Sequence, residues 1–220
     1  MRRFVVERIP EPGEQLDLDP ATAHHVAVVS HIARGEPFVL VDGQGGEAVV
    51  ALAGPSRVEG RELRRAPARI ALHLVLAIPK GPAADHAVRM AVELGVTAIH
   101  PAITERSVVR APNVERWRRV GAAAAAQCGR SDLPVVHAAE PLPIAAAAVP
   151  VAIDRRVAVP GAPSLARPEG AAALLIGPEG GLSTEEIAAL VAEGWIPTGL
   201  GTTVLRVDTA VAAGLALLRA

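Results

Sequence analysis

The sequence predicts an α/β fold preceded by a smaller β-rich unit, on three observations. The run "IALHLVLAI" (70–78) is almost wholly apolar, as in a strand covered on both faces. From there strand-like and helix-like segments alternate to the C-terminus, the signature of a parallel sheet with crossover helices. Before residue 66 the pattern is different: short β-rich runs, one glycine-rich hairpin and a single short helical segment.

The first unit, residues 1–66, starts with "RRFVVER", a strand. "PATAHHVAVVSHIARGE" reads as a short helix with Thr22 as a possible N-cap and Gly35 after its end. "PFVLVDGQGGEAVVALAG" is a hairpin, and "SRVEGRELRR" one or two further strands, so a barrel-like module is expected. "RRAPAR" (64–69) carries the proline and charge of a linker. In the second unit, residues 67–220, "PAADHAVRMAVELG" (82–95) is a helix with Gly95 at its C′ position. "VTAIHP" is a strand, "NVERWRRVGAAAAAQCGR" (113–130) a helix and "LPVVHAA" a strand. "VPVAID" (149–154), "AAALLIG" (171–177) and "WIPTGLG" (195–201) read as strands, and "DTAVAAGLALLRA" (208–220) as the last helix. The Ala/Pro-rich stretch 138–170 carries the weakest pattern.

Composition narrows the function classes. Half of the 220 residues are apolar, which excludes a disordered chain, and aromatics are 2%, with no Tyr. Phe4, Phe38, Trp117 and Trp195 are too few for a base-stacking platform. Net charge is −1, yet Arg106, Arg110, Arg116, Arg118, Arg119 and Arg130 stand against a single acid, Glu115, between 106 and 130. Such a patch suits phosphate, and equally a solvated helix face. Cys128 is alone, so no internal disulfide forms, and a buried small hydrophobe is its expected role. No apolar stretch reaches membrane-span length, the N-terminus lacks signal-peptide character, and a cytoplasmic protein is expected. His24, His25 and His31 lie near one short helix without acidic or Cys partners at ligand spacing, so no metal is expected.

Chemistry concentrates in two glycine-rich turns. "LLIGPEGGLSTEEIAAL" (174–190) passes from a strand through Gly177, Gly180 and Gly181 into a helix announced by the capping box Ser183/Glu186. Three glycines and a proline exceed what a plain connection requires. "TGLGTTVLRVDTA" (198–210) repeats the plan through Gly199 and Gly201. Two such turns can wall one pocket at the carboxyl end of a sheet. Neither is a P-loop, and "GLGTTV" lacks the third glycine of a dinucleotide fingerprint.

"LLIGPEGGLSTEEI" followed by "LGTTVLRVDTA" resembles the paired C-terminal motifs of the SPOUT methyltransferases, most nearly the RsmE type, the 16S rRNA uracil-N(3) methyltransferases. "RRFVVE", "AHH" (23–25), "DGQGGE" (42–47), "PKG" (79–81), "ELGV" (93–96), "ERSVVR" (105–110) and "RW" through "QCGR" (116–130) agree in order and spacing. The resemblance implies a PUA-like RNA-binding barrel over 1–66 and a knotted α/β SPOUT domain over 67–220, in which the C-terminal chain forms a deep trefoil knot. It implies S-adenosyl-L-methionine as cofactor, a homodimer, and methylation of N(3) of a uridine in 16S rRNA of the small ribosomal subunit. A non-catalytic RNA-binding or ribosome-assembly protein that keeps the fold is the alternative.

By the same resemblance, Ile176, Gly177, Pro178, Glu179, Gly180 and Gly181 form one wall of the cofactor site. Leu200, Gly201, Val204, Leu205 and Arg206 form the other. Arg206 would orient the base or steady negative charge on it, with an ion pair to Asp208 as its ordinary role. Asp208 would take a proton or merely cap the last helix. Arg2, Arg3, Arg106, Arg110, Arg116 and Arg130 are expected to hold RNA phosphates. The chain departs from the family pattern at Met90, Ala123, Ala126, Val207 and Asp208, and after "AHH" at Val28 and His31.

Overall fold

The computed structural model describes residues 1–109 and 111–219. Two compact units result: Met1–Ala68 together with Ala122–Leu133, and Arg69–Gly121 together with Pro134–Ala220. The first unit therefore includes a segment far along the chain. Within it, the Leu133 amide bonds the Gly43 carbonyl and the Ser131 hydroxyl bonds Glu47 at 2.7 Å.

The first unit is a five-stranded sheet in the order β1-β3-β4-β5-β2, comprising β1 (Arg3–Val5), β2 (Gln15–Asp17), β3 (Pro37–Val41), β4 (Gly46–Leu52) and β5 (Arg57–Arg65). Phe4, Phe38, Leu40, Val50 and Val58 fill its core, and the Phe4 ring meets Phe38 and His25 edge-on. Helix α1 (Pro20–His24) is capped by Asp19, not Thr22: the Asp19 carboxylate accepts from Ala21 and Thr22, and Pro20 occupies the first turn. The helix continues as one π turn, His25–Val29, and stops at Ser30, short of Gly35.

The second unit is a seven-stranded sheet, with every pairing parallel. Its strands are β6 (Leu72–Ala77), β7 (Ala98–Ile103), β8 (Val135–Val136), β9 (Glu140–Pro141), β10 (Asp154–Ala158), β11 (Ala172–Ile176) and β12 (Ile196–Thr198). The order is β12-β10-β11-β6-β7-β8, with β9 also on β7. The helices are α2 (Ala83–Glu93), α3 (Val114–Gln127, of which only the part up to Gly121 belongs to this unit), α4 (Leu142–Ala147), α5 (Thr184–Ala192) and α6 (Val207–Arg219). No helix among the described residues is long and apolar enough to cross a membrane.

Periodicity explains how these elements pack. In α2, Ala84, Ala87, Val88, Ala91 and Val92 are buried, a helical stripe, and α2 packs on α6. Gly95 follows at φ 90°, ending the helix. On one face of the sheet Val75, Ala102, Val157, Ala173 and Leu175 meet Leu142, Ala145 and Ala146 of α4, Leu190 of α5 and Trp195. On the other face α6 comes close at Gly214, where a Cβ would stand 2.5 Å from the Leu174 side chain.

The strand expected at 149–154 is displaced, and β2 and β9 have no counterpart in the sequence reading. "VPVAID" is not itself a strand: Val149 closes the turn after α4, and β10 begins at Asp154 as "DRRVA". Charge hid it from a hydrophobicity reading. Arg156 pairs with Asp154, while buried Arg155 donates to the Glu193 carbonyl and lies over the Trp195 ring at 5.8 Å.

Three histidines stack across the parallel strands. The His73 and His100 rings lie 5.3 Å apart with Nδ1 and Nε2 at 3.0 Å, and His137 stacks on His100 at 4.4 Å. Burial first, then the charge His137 and His73 would carry, pushes the His100 pKa down to about 4. An unfolded histidine protonates below about pH 6.5, the folded one only near 4. Between these values the unfolded state holds more protons, so stability falls as pH falls.

Denaturant titrations from pH 7 to pH 4 should therefore show a loss approaching about 3 kcal/mol from this group. His100→Phe, which keeps a ring in the stack but cannot titrate, should flatten most of that slope. Gly199→Ala would place a Cβ 2.3 Å from the Ala162 carbonyl oxygen and should cost about 3 kcal/mol. Gly170→Ala, which meets nothing within 4 Å, should stay within about 0.5 kcal/mol of the parent in the same experiment.

Candidate functional site

The carboxyl ends of β10, β11 and β12 surround a cavity of about 710 Å³. That is the size of a small-molecule site, at the edge of a parallel sheet where ligands bind. Its walls are the turn after β10 (Ala158, Val159, Pro160), the loop after β11 (177–182), the loop after β12 (200–206), Ala83 of α2 and the first turn of α6.

The loop after β11 is rigid without side-chain bulk. Buried Leu174, Leu175 and Ile176 anchor its start. The Gly181 amide bonds the Pro178 carbonyl at 2.8 Å, closing a tight turn at φ 70° that only glycine adopts freely. Ser183 and Glu186 form the expected capping box. Neighbouring strand ends then tie the loop down. The Lys80 amide donates to Glu179 Oε1 at 2.9 Å, and the Glu105 amide to Glu186 Oε1 at 2.8 Å. Arg106 Nη1 donates to the Gly180 carbonyl at 2.9 Å and to that of Leu182 at 3.4 Å. Both glutamates are thus held by backbone amides and bound to the scaffold.

The loop after β12 is clasped by the chain at 162–165. The Gly199 amide donates to Pro163 at 2.7 Å and its carbonyl accepts from Leu165 at 3.1 Å. At Gly201 (φ 136°) nothing stands within 4 Å of a built Cβ, so the backbone faces open space. Val204 is 83% exposed on the cavity wall, an apolar surface available to a ligand. The Arg206 carbonyl accepts from Ala210, and its guanidinium side chain stands 80% exposed at the mouth. Asp208, only 13% exposed, lies 3.6 Å from Arg206 Nε and 3.7 Å from His86 Nδ1. The Thr209 amide holds its Oδ1 at 3.0 Å.

All eleven residues expected on the cofactor walls, Ile176, Gly177, Pro178, Glu179, Gly180, Gly181, Leu200, Gly201, Val204, Leu205 and Arg206, line this one cavity, together with Asp208. Sequence reading missed the β10 turn, because the strand feeding it carries two arginines. It also missed His86, whose helix reads only as a packing element. The donor set suits a polar, nucleoside-sized ligand: exposed backbone from two glycine loops, apolar Val204 and Leu205, and one cation and one carboxylate at the mouth.

The arginines expected to face phosphate have protein partners. Arg2 donates to the Ser30 carbonyl, and Arg3 pairs with Glu47 at 2.8 Å. Arg106 holds the glycine loop, and Arg116 pairs with Asp85 at 2.6 Å. Arg130 is corrected outright: it is 3% exposed, with its guanidinium on Asp132, because the turn after α3 folds it inward. Arg110 lies outside the described residues. Cys128 is exposed rather than buried. The described residues hold no cluster of three or more His, Cys, Asp or Glu able to bind a metal.

Comparison with known proteins identifies the family. A model of the RNA methyltransferase domain family matches residues 66–219. The ribosomal RNA small subunit methyltransferases E of Mycobacterium bovis and Mycobacterium tuberculosis are each 32% identical, over 96% of this chain and 88% of theirs. A crystal structure of that enzyme from Neisseria gonorrhoeae, bound to S-adenosyl methionine, superposes with a TM-score of 0.89 at 28% identity, over 98% of this chain and 95% of the other. A putative methyltransferase from Legionella pneumophila, also in complex with S-adenosyl methionine, gives 0.87 at 28% identity, over 98% and 95%.

Arg106→Ala should loosen the loop after β11 without unfolding the sheet. Its hydrogen bonds contribute about 1 kcal/mol after solvent screening. Amide hydrogen exchange at 177–182 should accelerate roughly fivefold while β6 and β11 keep their protection. Unchanged loop exchange would show that the arginine does not hold the turn.

Proposed function

The chain belongs to the RNA methyltransferase family, among the small-subunit rRNA methyltransferases E, and on that premise we propose that it methylates N(3) of a uridine in 16S rRNA. It is an S-adenosylmethionine-dependent rRNA methyltransferase. The observation that carries the finer reading is the convergence of both glycine loops on one cavity at the carboxyl edge of the sheet.

In this reading Gly177–Gly181 and Leu200–Arg206 hold the cofactor, chiefly through peptide groups. The bare backbone at Gly181 and Gly201 fits that task, since a Cβ at either would project into open space beside the cavity. Bound there, the cofactor supplies a methyl group already activated on a sulfonium. Val204 and Leu205 cover that group from water and bring the base to near-attack distance. The exposed Arg206 guanidinium steadies negative charge on the pyrimidine carbonyl oxygens as N(3) loses its proton. The Asp208 carboxylate, on the same cavity wall, assists the loss of that proton, directly or through a neighbouring group.

The same reading extends to the rest of the molecule. The five-stranded first unit acts as a PUA-like RNA-binding barrel over 1–66, and Arg2 and Arg116, both exposed, contribute to phosphate attraction. The clasp of 162–165 around Gly199 supports a chain threaded as a trefoil knot in the methyltransferase domain 67–220. The protein works as a homodimer in the cytoplasm, on the small ribosomal subunit or its rRNA.

Incubation with methyl-labelled S-adenosylmethionine and small subunits lacking the modification should place label on one uridine as N(3)-methyluridine. Label on a ribose or a purine would overturn the N(3) assignment. Retained RNA binding with no label would leave an assembly protein. Arg206→Ala should lower kcat about 10²-fold while changing cofactor affinity little.

A further inference from the structure

The proposed reaction requires that N(3) lose a proton, and the structure supplies a specific acceptor. We infer that His86 is the general base of this enzyme, and that Asp208 acts by positioning it. The inference rests on the N(3) reading above and goes beyond it in naming the group that takes the proton.

His86 lies on α2, three residues after Ala83, so the two share a helix face, and Ala83 lines the cofactor cavity. Its side chain is 49% exposed and reaches the cavity through its neighbour Asp208. Nδ1 stands 3.7 Å from Asp208 Oδ2, while Asp208 lines the cavity from the first turn of α6. A change of a few tenths of an ångström closes this gap to a hydrogen bond, and such contacts commonly tighten when substrate binds. The carboxylate then holds Nδ1–H and turns a bare Nε2 outward. A bare imidazole nitrogen is a suitable acceptor near neutral pH.

The carboxylates already named beside the cavity have partners of their own. Glu179 accepts from the Lys80 amide, and Glu186 accepts from Glu105 and Ser183. Asp85, beside His86 on the same helix, is paired with Arg116 at 2.6 Å. Asp208 itself is shared between the Thr209 amide, Arg206 and His86, and only 13% of its side chain reaches solvent. His73, His100 and His137 stack on one another at another part of the sheet. Arg206 sits on the opposite side of Asp208 from His86, through Oδ1 against Oδ2. One carboxylate thus sets both a cation for the carbonyl oxygens and a base for the ring nitrogen.

The step balances. The N(3)–H proton passes to His86 Nε2, and the N(3) electron pair forms the new bond to the methyl carbon. The carbon–sulfur bond breaks with its pair left on sulfur, giving a neutral thioether. The imidazolium beside Asp208 then returns its proton to water.

The test uses the full-length protein with small subunits lacking the modification. His86→Ala and His86→Gln should each lower kcat about 10²-fold. KM for both substrates, calorimetric affinity for S-adenosylmethionine and the thermal midpoint should stay near those of the parent. Added imidazole should restore His86→Ala by tenfold or more, and more at pH 8 than at pH 6, because only the free base accepts. Asp208→Asn should slow the parent yet add little on the His86→Ala background. Parent-like kcat in both His86 variants, or loss without imidazole rescue, overturns the assignment while N(3) methylation by the parent stands. A parent that forms no N(3)-methyluridine removes the reaction on which the assignment rests.

Discussion

A backbone that must touch a ligand cannot also be covered by its own side chains, and this constraint organises the second unit. The loops after β11 and β12 leave peptide groups bare at Gly181 and Gly201. Bare loops are mobile unless something else holds them. Here the restraint comes from outside each loop. Lys80 and Glu105, at the ends of β6 and β7, donate amides to Glu179 and Glu186, Arg106 reaches two carbonyls, and residues 162–165 clasp Gly199. The parallel sheet is what brings these strand ends to one edge.

Arginine does much of this structural work. Arg155 is buried within a strand because its charge is answered by the Glu193 carbonyl and the Trp195 face. Arg130 is turned inward onto Asp132, and Arg106 onto loop carbonyls. The planar fork presents its donors in a fixed geometry that meets two acceptors side by side, whereas a lysine ammonium is a flexible point charge. In a chain with 21 arginines, one lysine and few aromatics, guanidinium groups do the pinning of these turns. The mouth of the cavity uses the same residue in the opposite way: Arg206 is left exposed, with Asp208 at its base.

Local chemistry made much of the second unit legible. The apolar runs of β6 and β11, the amphipathic stripe of α2, Gly95 after it, and the Ser183/Glu186 box each depend on neighbours in sequence, and each appears in place. The errors share a cause as well. Asp19 displaced Thr22 as the cap of α1 because Pro20 fills the first turn, a competition between adjacent candidates. β10 was misplaced because Arg155 becomes compatible with a sheet only through a partner about forty residues away, the Glu193 carbonyl. The arginines of 106–130 read as one basic surface, but their partners at Gly180, Asp85 and Asp132 absorb much of that charge.

The sequence by itself determined which segments form strands and helices in the regular stretches, and which two turns have too little side-chain bulk to be mere connections. Those properties follow from periodicity, capping and the absence of a Cβ, all local to the chain. Only the tertiary structure decided that the two turns share one cavity, that Glu179 and Glu186 belong to the scaffold, and that His86 stands beside Asp208. Those pairings join residues up to about 120 positions apart, and strand order, not proximity in sequence, sets which of them meet.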